Sequence, residues 1–160
     1  MLFAGVFLVF LISFLAWREY TLFLHGEARE VSELIAFIKT MRDRMRCYLE
    51  PISAWVGEYS SDELERVGFL PAVRERGDFG LAYEMSRDNM SVSDEVRSVI
   101  SEMISRTGDG YLEGEIAAID SALGKLSEIE NRLIGDCKNK SHAAGAMLAA
   151  IVIGAVILVI

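Results

Sequence analysis

The sequence predicts an all-α protein: an antiparallel helical bundle flanked at its N- and C-terminal ends by transmembrane helices. Three observations carry that expectation. Two stretches are nearly free of polar groups: "LFAGVFLVFLISFLAW" at 2–17 has only Ser13 as an interruption, and "AAGAMLAAIVIGAVILVI" at 143–160 has none. All 24 acids and all 16 bases fall between them, in residues 18–142. Within that charged interior, apolar residues recur at three- and four-residue steps, with no run of alternating strand character.

The 18 residues of the second run at about 1.5 Å rise make a helix about 27 Å long, close to the ~30 Å hydrocarbon thickness of a bilayer. A core helix keeps a polar face; this run is apolar all round, as a lipid-facing helix can be. The first run is shorter, but Tyr20 and the "LFL" at 22–24 extend it, with Trp17 and Tyr20 as interfacial anchors. It has no basic leading region and no small-x-small site before Arg18, which favours a retained span over a cleaved signal peptide. Arg18 and Arg29 follow the first run, Arg132, Lys138 and Lys140 precede the second, and the outer ends carry no Lys or Arg. That asymmetry places the interior in the cytoplasm. The expected organisation is a two-pass protein of the cell membrane in contact with lipid. Residues 1–24 form the first span and its junction, 25–142 a cytoplasmic bundle, and 143–160 the second span.

The formal net charge of −8 argues against nucleic acid as a partner, because no basic face offsets the excess of carboxylates. Cys47 and Cys137 fit a reducing compartment as free thiols. They are too few for a disulfide framework or a metal site.

Along the interior, Val31, Leu34, Ile35, Ile38, Met41, Met45, Tyr48, Leu49 and Ile52 form the stripe of an amphipathic helix. Pro51 ends it or opens the next helix, since its ring suits a first turn and clashes in an interior. In "SSDELERVGFL", Ser60 or Ser61 caps a helix with acids in its first turn. Leu70-Pro71 opens another turn, "RGDFG" breaks the pattern, and "FGLAYEMSRDN" reads as a brief helix. In "SVSDEVRSVISEMISRTG", Ser93 caps, Asp94 and Glu95 complement the dipole, and Val96, Val99, Ile100, Met103 and Ile104 face inward. "GDG" at 108–110 stops that helix.

The last segment carries a heptad seam: Leu112, Ile116, Ile119, Leu123, Leu126, Glu130, Leu133 and Cys137 step by four and three, with Glu130 the polar member. Two long helices, 29 to about 50 and 111 to about 137, thus lead directly into the spans. Antiparallel packing would set those spans side by side. Gly114, Gly124 and Gly135 each cost about 1 kcal/mol against Ala, and "GDCKNKSH" is expected to be a joint where the helix kinks or breaks. In the second span Gly145, Ala146, Ala149, Ala150 and Gly154 form a stripe of small residues. Such a stripe lets helix backbones approach, as a packing face for the first span or for another copy in a homo-oligomer.

A search for chemistry finds no catalytic, metal or cofactor-binding constellation. His25 and His142 stand at the two membrane junctions without ligand-spaced partners. No serine sits in a nucleophile elbow, and no glycine-rich loop matches a phosphate cradle. "DGYLEGE" at 109–115 lacks the alternating acids and closing glutamate of a calcium loop. The sequence reads as a non-enzyme. Lys39, Arg42 and Arg46 are candidate contacts for an acidic partner, although mixed ion pairs on a solvated helix face account for them more simply. Glu130 needs an Arg or an opening in the seam, since a lone buried carboxylate costs several kcal/mol.

The order of features carries a resemblance. A short span leads into an "EL..FI..MR" helix ending near "YLEPISAW"; then come "ISRTGDGYLEGEIAAID" and "LGKLSEIENRLIGDCKNKSHAAG", which runs into a terminal span. This layout resembles the stage III sporulation protein AB family over nearly the whole chain. That family is similar in turn to the helical cytoplasmic domains of type II secretion F-family platform proteins. The resemblance implies a non-enzymatic scaffold in the channel apparatus between mother cell and forespore, located in the mother-cell membrane. It also implies a secretion-type ATPase and the other membrane proteins of that apparatus as partners. A membrane-tethered sensor whose bundle binds a small ligand is the alternative. A membrane enzyme using Glu130 with His25 or His142 is a more distant one.

Overall fold

The structure is a computed structural model. It describes the backbone of residues 2–107 and 112–159, and the side chains of most of residues 26–107 and 112–139 with a few beyond. Seven α-helices follow one another among these residues: α1 (Leu2–Tyr48), α2 (Ile52–Trp55), α3 (Asp62–Arg66), α4 (Phe69–Arg76), α5 (Phe79–Ser86), α6 (Asp94–Arg106) and α7 (Leu112–Val159). A short 3₁₀ turn, Arg87–Asn89, follows α5, and no strand occurs among the described residues. The protein is all-α. The chain divides into two compact units, Glu27–Asn131, which is a helical bundle, and Met1–Gly26 with Arg132–Ile160.

The helix punctuation follows the local chemistry. Pro51 takes φ −68° and ψ 154° at the N-cap of α2; its fixed φ and missing N–H suit that position. The Ser61 hydroxyl accepts from the Leu64 N–H at 3.3 Å and starts α3, whose first turn holds Asp62, Glu63 and Glu65. Asp78 does the same for α5, accepting from the Leu81 N–H at 2.8 Å. Between α4 and α5, Gly77 stands at φ 67°, a conformation that glycine adopts without a Cβ penalty. Ser93 occupies the N-cap of α6, but its hydroxyl makes no capping bond. Its N–H instead reaches Glu27 on α1 at 3.0 Å.

α7 runs unbroken from Leu112 to Val159, so the break expected at "GDCKNKSH" does not occur. No proline interrupts the stretch, and the propensity cost of about 1 kcal/mol at Gly135 does not stop the helix. The expected stop at 108–110 lies outside the described residues, although α6 does end at Arg106.

The core of the 27–131 unit assembles around α1. Val31, Leu34, Ile35, Ile38 and Met41 are buried as the stripe requires. The stripe then fails at its end, where Tyr48 and Leu49 are exposed. Phe37, one step off the stripe, has no exposed surface at all. Its ring meets Tyr59 at 5.1 Å, Phe69 at 5.2 Å, Trp55 at 5.3 Å and Phe79 at 6.1 Å. α2, α4 and α5 thus converge on one ring. Burial of each such side chain stabilises the fold by about 1.5–3 kcal/mol. α6 adds Val96, Ile100 and Met103.

Among the described residues of α7, Ala118, Ile119, Ala122, Leu123, Leu126, Ile129 and Cys137 are buried. This stripe is wider than the heptad seam, as expected of a helix with several neighbours. Gly124 lies on the opposite, exposed side, and a Cβ there would meet nothing within 4 Å. Gly124→Ala should therefore stabilise the chain by about 1 kcal/mol, raising Tm by about 4–8 °C. Thermal unfolding followed by circular dichroism checks this, and a lowered Tm would count against an unencumbered helix face.

The two uncharged runs lie mostly outside the residues whose side chains are described. Among the described residues, no helix is long and apolar enough to cross a membrane.

Candidate functional site

The basic residues of α1 are already engaged in part. The Arg42 guanidinium donates to Asp120 on α7 at 2.9 Å and to Asp43 at 2.8–3.0 Å. Hydrogen bonding first to Asp120 and then to Asp43 raises its pKa above the ordinary value. Lys39 and Arg46 are exposed. The three residues therefore do not form one open cationic patch: Arg42 ties α1 to α7, between two acids. The pair is half-exposed, with 27 % and 47 % of the side chains accessible, so it is worth at most about 1 kcal/mol. Asp120→Ala should cost less than that, and a double-mutant cycle with Arg42→Ala should give a coupling of about 0.2–1 kcal/mol. A zero coupling would return Arg42 to the list of free contacts.

Glu130, expected to meet an Arg or to sit at an opening in the seam, is half-buried. The seam is open at this level, between exposed Glu128 and Asn131. The deeply buried carboxylate is a different residue. Glu30 on α1 keeps 1 % of its surface. One of its oxygens accepts from Arg66 on α3 at 2.7 Å, and the other accepts from the Ser91 N–H at 2.7 Å. Arg66 also binds Glu63 at 2.8 Å, and hydrogen bonds to Glu63 and then Glu30 raise its pKa. Glu27 and Glu30 together hold the 91–93 segment that enters α6. Position 30 gave no sequence signal beyond its place beside Val31 on the inward side of α1. Elsewhere, Lys125 on α7 donates to Glu102 on α6 at 2.6 Å. With help from Arg106, it holds the Glu102 carboxyl below the usual range.

The most distinctive concavity is a groove of about 380 Å³ in the 27–131 unit. Its apolar walls are Met41, Met45, Leu49, Ile52, Phe79 and Met103, with Ile104 and Leu112 beside them. Among the described residues, its ionisable lining is Glu50 and Asp78. Glu50 pairs with Arg44 at 3.0 Å, while Asp78 caps α5. Gly80 closes one wall: a Cβ there would stand 3.0 Å from Ile104 Cγ2, so α5 and α6 approach closely because position 80 has no side chain.

At the mouth is Leu49, the one non-glycine residue with positive φ among the described residues, at 54°, and 72 % exposed. A signal for it was available in "RCYLEP". The helix ends ahead of Pro51 with neither Gly nor Asn to take the left-handed position that closes many helices.

Among the described residues no group of His, Cys, Asp and Glu could hold a metal ion. Asp109 and the side chains of His25, His142, Ala146, Ala149 and Ala150 lie outside what is described. Gly145 is exposed, and a Cβ on it would meet nothing within 4 Å of this single chain. No family model, curated protein or solved structure matches the chain.

Proposed function

We propose that the protein is a non-catalytic, membrane-anchored scaffold. Its terminal helical segments lie in the bilayer, and its acidic bundle, with α1 and α7 antiparallel, faces the cytoplasm. There it docks a secretion-type ATPase and the other membrane proteins of a sporulation channel apparatus. One observation carries the reading: α1 and α7 each continue without a break from the helical bundle into an uncharged terminal stretch. Helices with every backbone group bonded internally are the form in which a chain can cross lipid. Flanking positive charge on the interior side supports the cytoplasmic placement, and the layout shared with the stage III sporulation protein AB family supports the apparatus.

Three experiments test it. Fractionation should recover the full chain with membranes, and protease added outside the cell should leave residues 25–142 intact. Inserting four glycines between Lys138 and Ser141, in a spore-forming host that depends on this protein, should keep the membrane location yet lower spore yield sharply. Normal sporulation would sink the mechanical coupling through α7, and a freely soluble full-length chain would sink the anchor. The small-ligand sensor gains little support, because the two carboxylates of the groove are already engaged.

A further inference from the structure

Resting on the membrane-anchored reading, we infer that α6 is a movable lever, latched at its start to α1 by Glu27 and Glu30. Sliding of α1 against α7 displaces it away from α5. The two glutamates stand one turn apart on α1, at the first positions of the 27–131 unit. Both accept backbone N–H groups of one short segment, Glu27 from Ser93 at 3.0 Å and Glu30 from Ser91 at 2.7 Å. The Ser93 hydroxyl makes no capping bond to α6. The entry of α6 is therefore fixed by another helix, and a shift of α1 carries it along.

The second long helix holds α6 as well. Lys125 on α7 donates to Glu102, in the middle of α6, at 2.6 Å. Around the small gap between these helices, Val99 and Met103 of α6 stand across from Ala118, Ser121 and Ala122 of α7. Side chains that small interlock little, which suits the short sliding of packed helices in a shear motion. A helix tied at its start to α1 and at its middle to α7 tilts when those two move past each other. Gly80 sets the direction. A Cβ there would stand 3.0 Å from Ile104, so α5 and α6 already touch and α6 has room only to move away.

The start of α6 also gathers polar groups that the core satisfies only in part. Glu30 is almost wholly buried, and its cation, Arg66, is shared with Glu63 and 58 % exposed. The Met90 carbonyl accepts from Arg97 at 3.2 Å. Yet the Arg97 Nε and the Tyr83 hydroxyl are buried without a hydrogen-bond partner among the described residues. A partly satisfied polar network holds less firmly than apolar packing, so this end of α6 yields before the stripe of Ile100 and Met103 does.

The test uses the full chain in nanodiscs of dilauroyl and of dierucoyl phosphatidylcholine, whose different thicknesses impose different tilts on transmembrane helices. Amide hydrogen exchange, read by mass spectrometry, compares α6 with α4. In the parent chain α6 should exchange at least about fivefold faster in one lipid than in the other, while α4 keeps its rate. Glu27→Ala/Glu30→Leu removes both acceptors. Ser91 is exposed and Arg66 keeps Glu63, so neither is stranded. This variant should show fast α6 exchange in both lipids, with no dependence on thickness. Should α4 also exchange fast in it, marking a lost fold, the surface change Lys125→Gln decides, and it should bring the α6 rates in the two lipids closer together.

The inference is overturned if α6 of the parent exchanges alike in both lipids, or if α4 responds as strongly as α6. It is equally overturned if the folded double variant, or Lys125→Gln, keeps the parent's ratio. Any of these results in a chain that co-migrates with the discs removes the lever and leaves the anchor standing. A chain that stays outside the discs removes the anchor, and the lever with it.

Discussion

Phe37→Ala should cost about 3–5 kcal/mol, a large part of the 5–15 kcal/mol that stabilises a typical domain. The ring is wholly buried and has four aromatic neighbours within 5.1–6.1 Å. Two are edge-on, one is tilted and one is stacked, the offset arrangements that add about 0.5–1.5 kcal/mol per pair beyond area burial. Truncation removes those contacts at once. The cavity left behind is bounded by α1, α2, α4 and α5, which cannot all move in to fill it. Chemical denaturation in detergent should show the loss as an earlier midpoint, with tryptophan fluorescence reporting Trp55 directly. Tyr48→Ala, on the exposed end of the same helix, should stay within about 0.5 kcal/mol. Equal costs at the two positions would mean that the aromatic cluster is not the centre of the core.

The second large effect is expected at Arg66. Arg66→Ala leaves the Glu30 carboxylate buried with only the Ser91 N–H for company, and should cost about 3 kcal/mol, the penalty of an uncompensated buried charge. Glu30→Gln, which keeps an oxygen for Ser91 and loses the charge, should cost about 1 kcal/mol. The double variant Glu30→Gln/Arg66→Ala should therefore be more stable than Arg66→Ala alone. If the two changes simply add, the mechanism is not an orphaned charge. The measurement is the denaturation midpoint of each variant.

These sites show how unevenly the sequence reveals the molecule. Helix starts could be read because capping is local: Ser61 and Asp78 act within three residues of themselves. Pro51 acts on its own ring geometry. Ser93 stands at the N-cap of α6 as its sequence suggested, yet its hydroxyl makes no capping bond, and its N–H is held by Glu27, 66 residues away. Arg42 looked like a surface contact until Asp120, 78 residues away, was placed beside it. Glu30 gave no local signal either, because its partners Arg66 and Ser91 lie 36 and 61 residues away. A heptad describes one facing helix, but α7 meets both α1, through Asp120, and α6, through Lys125, and its buried positions include Ala118, Ala122 and Ile129.

From the chain of letters alone came the all-helical class, most of the helix limits, the inward stripes and the segregation of every charge away from two apolar runs. Periodicity, capping and charge placement depend on residues within a few positions of one another, so they are written locally. The tertiary structure alone decided that Phe37 is the hub of the core, that Glu30 is the carboxylate taken inside, and that α1 closes on a strained leucine at the edge of a methionine-lined groove. Those outcomes depend on which distant helices meet, and on the free energy of burying one particular side chain against another.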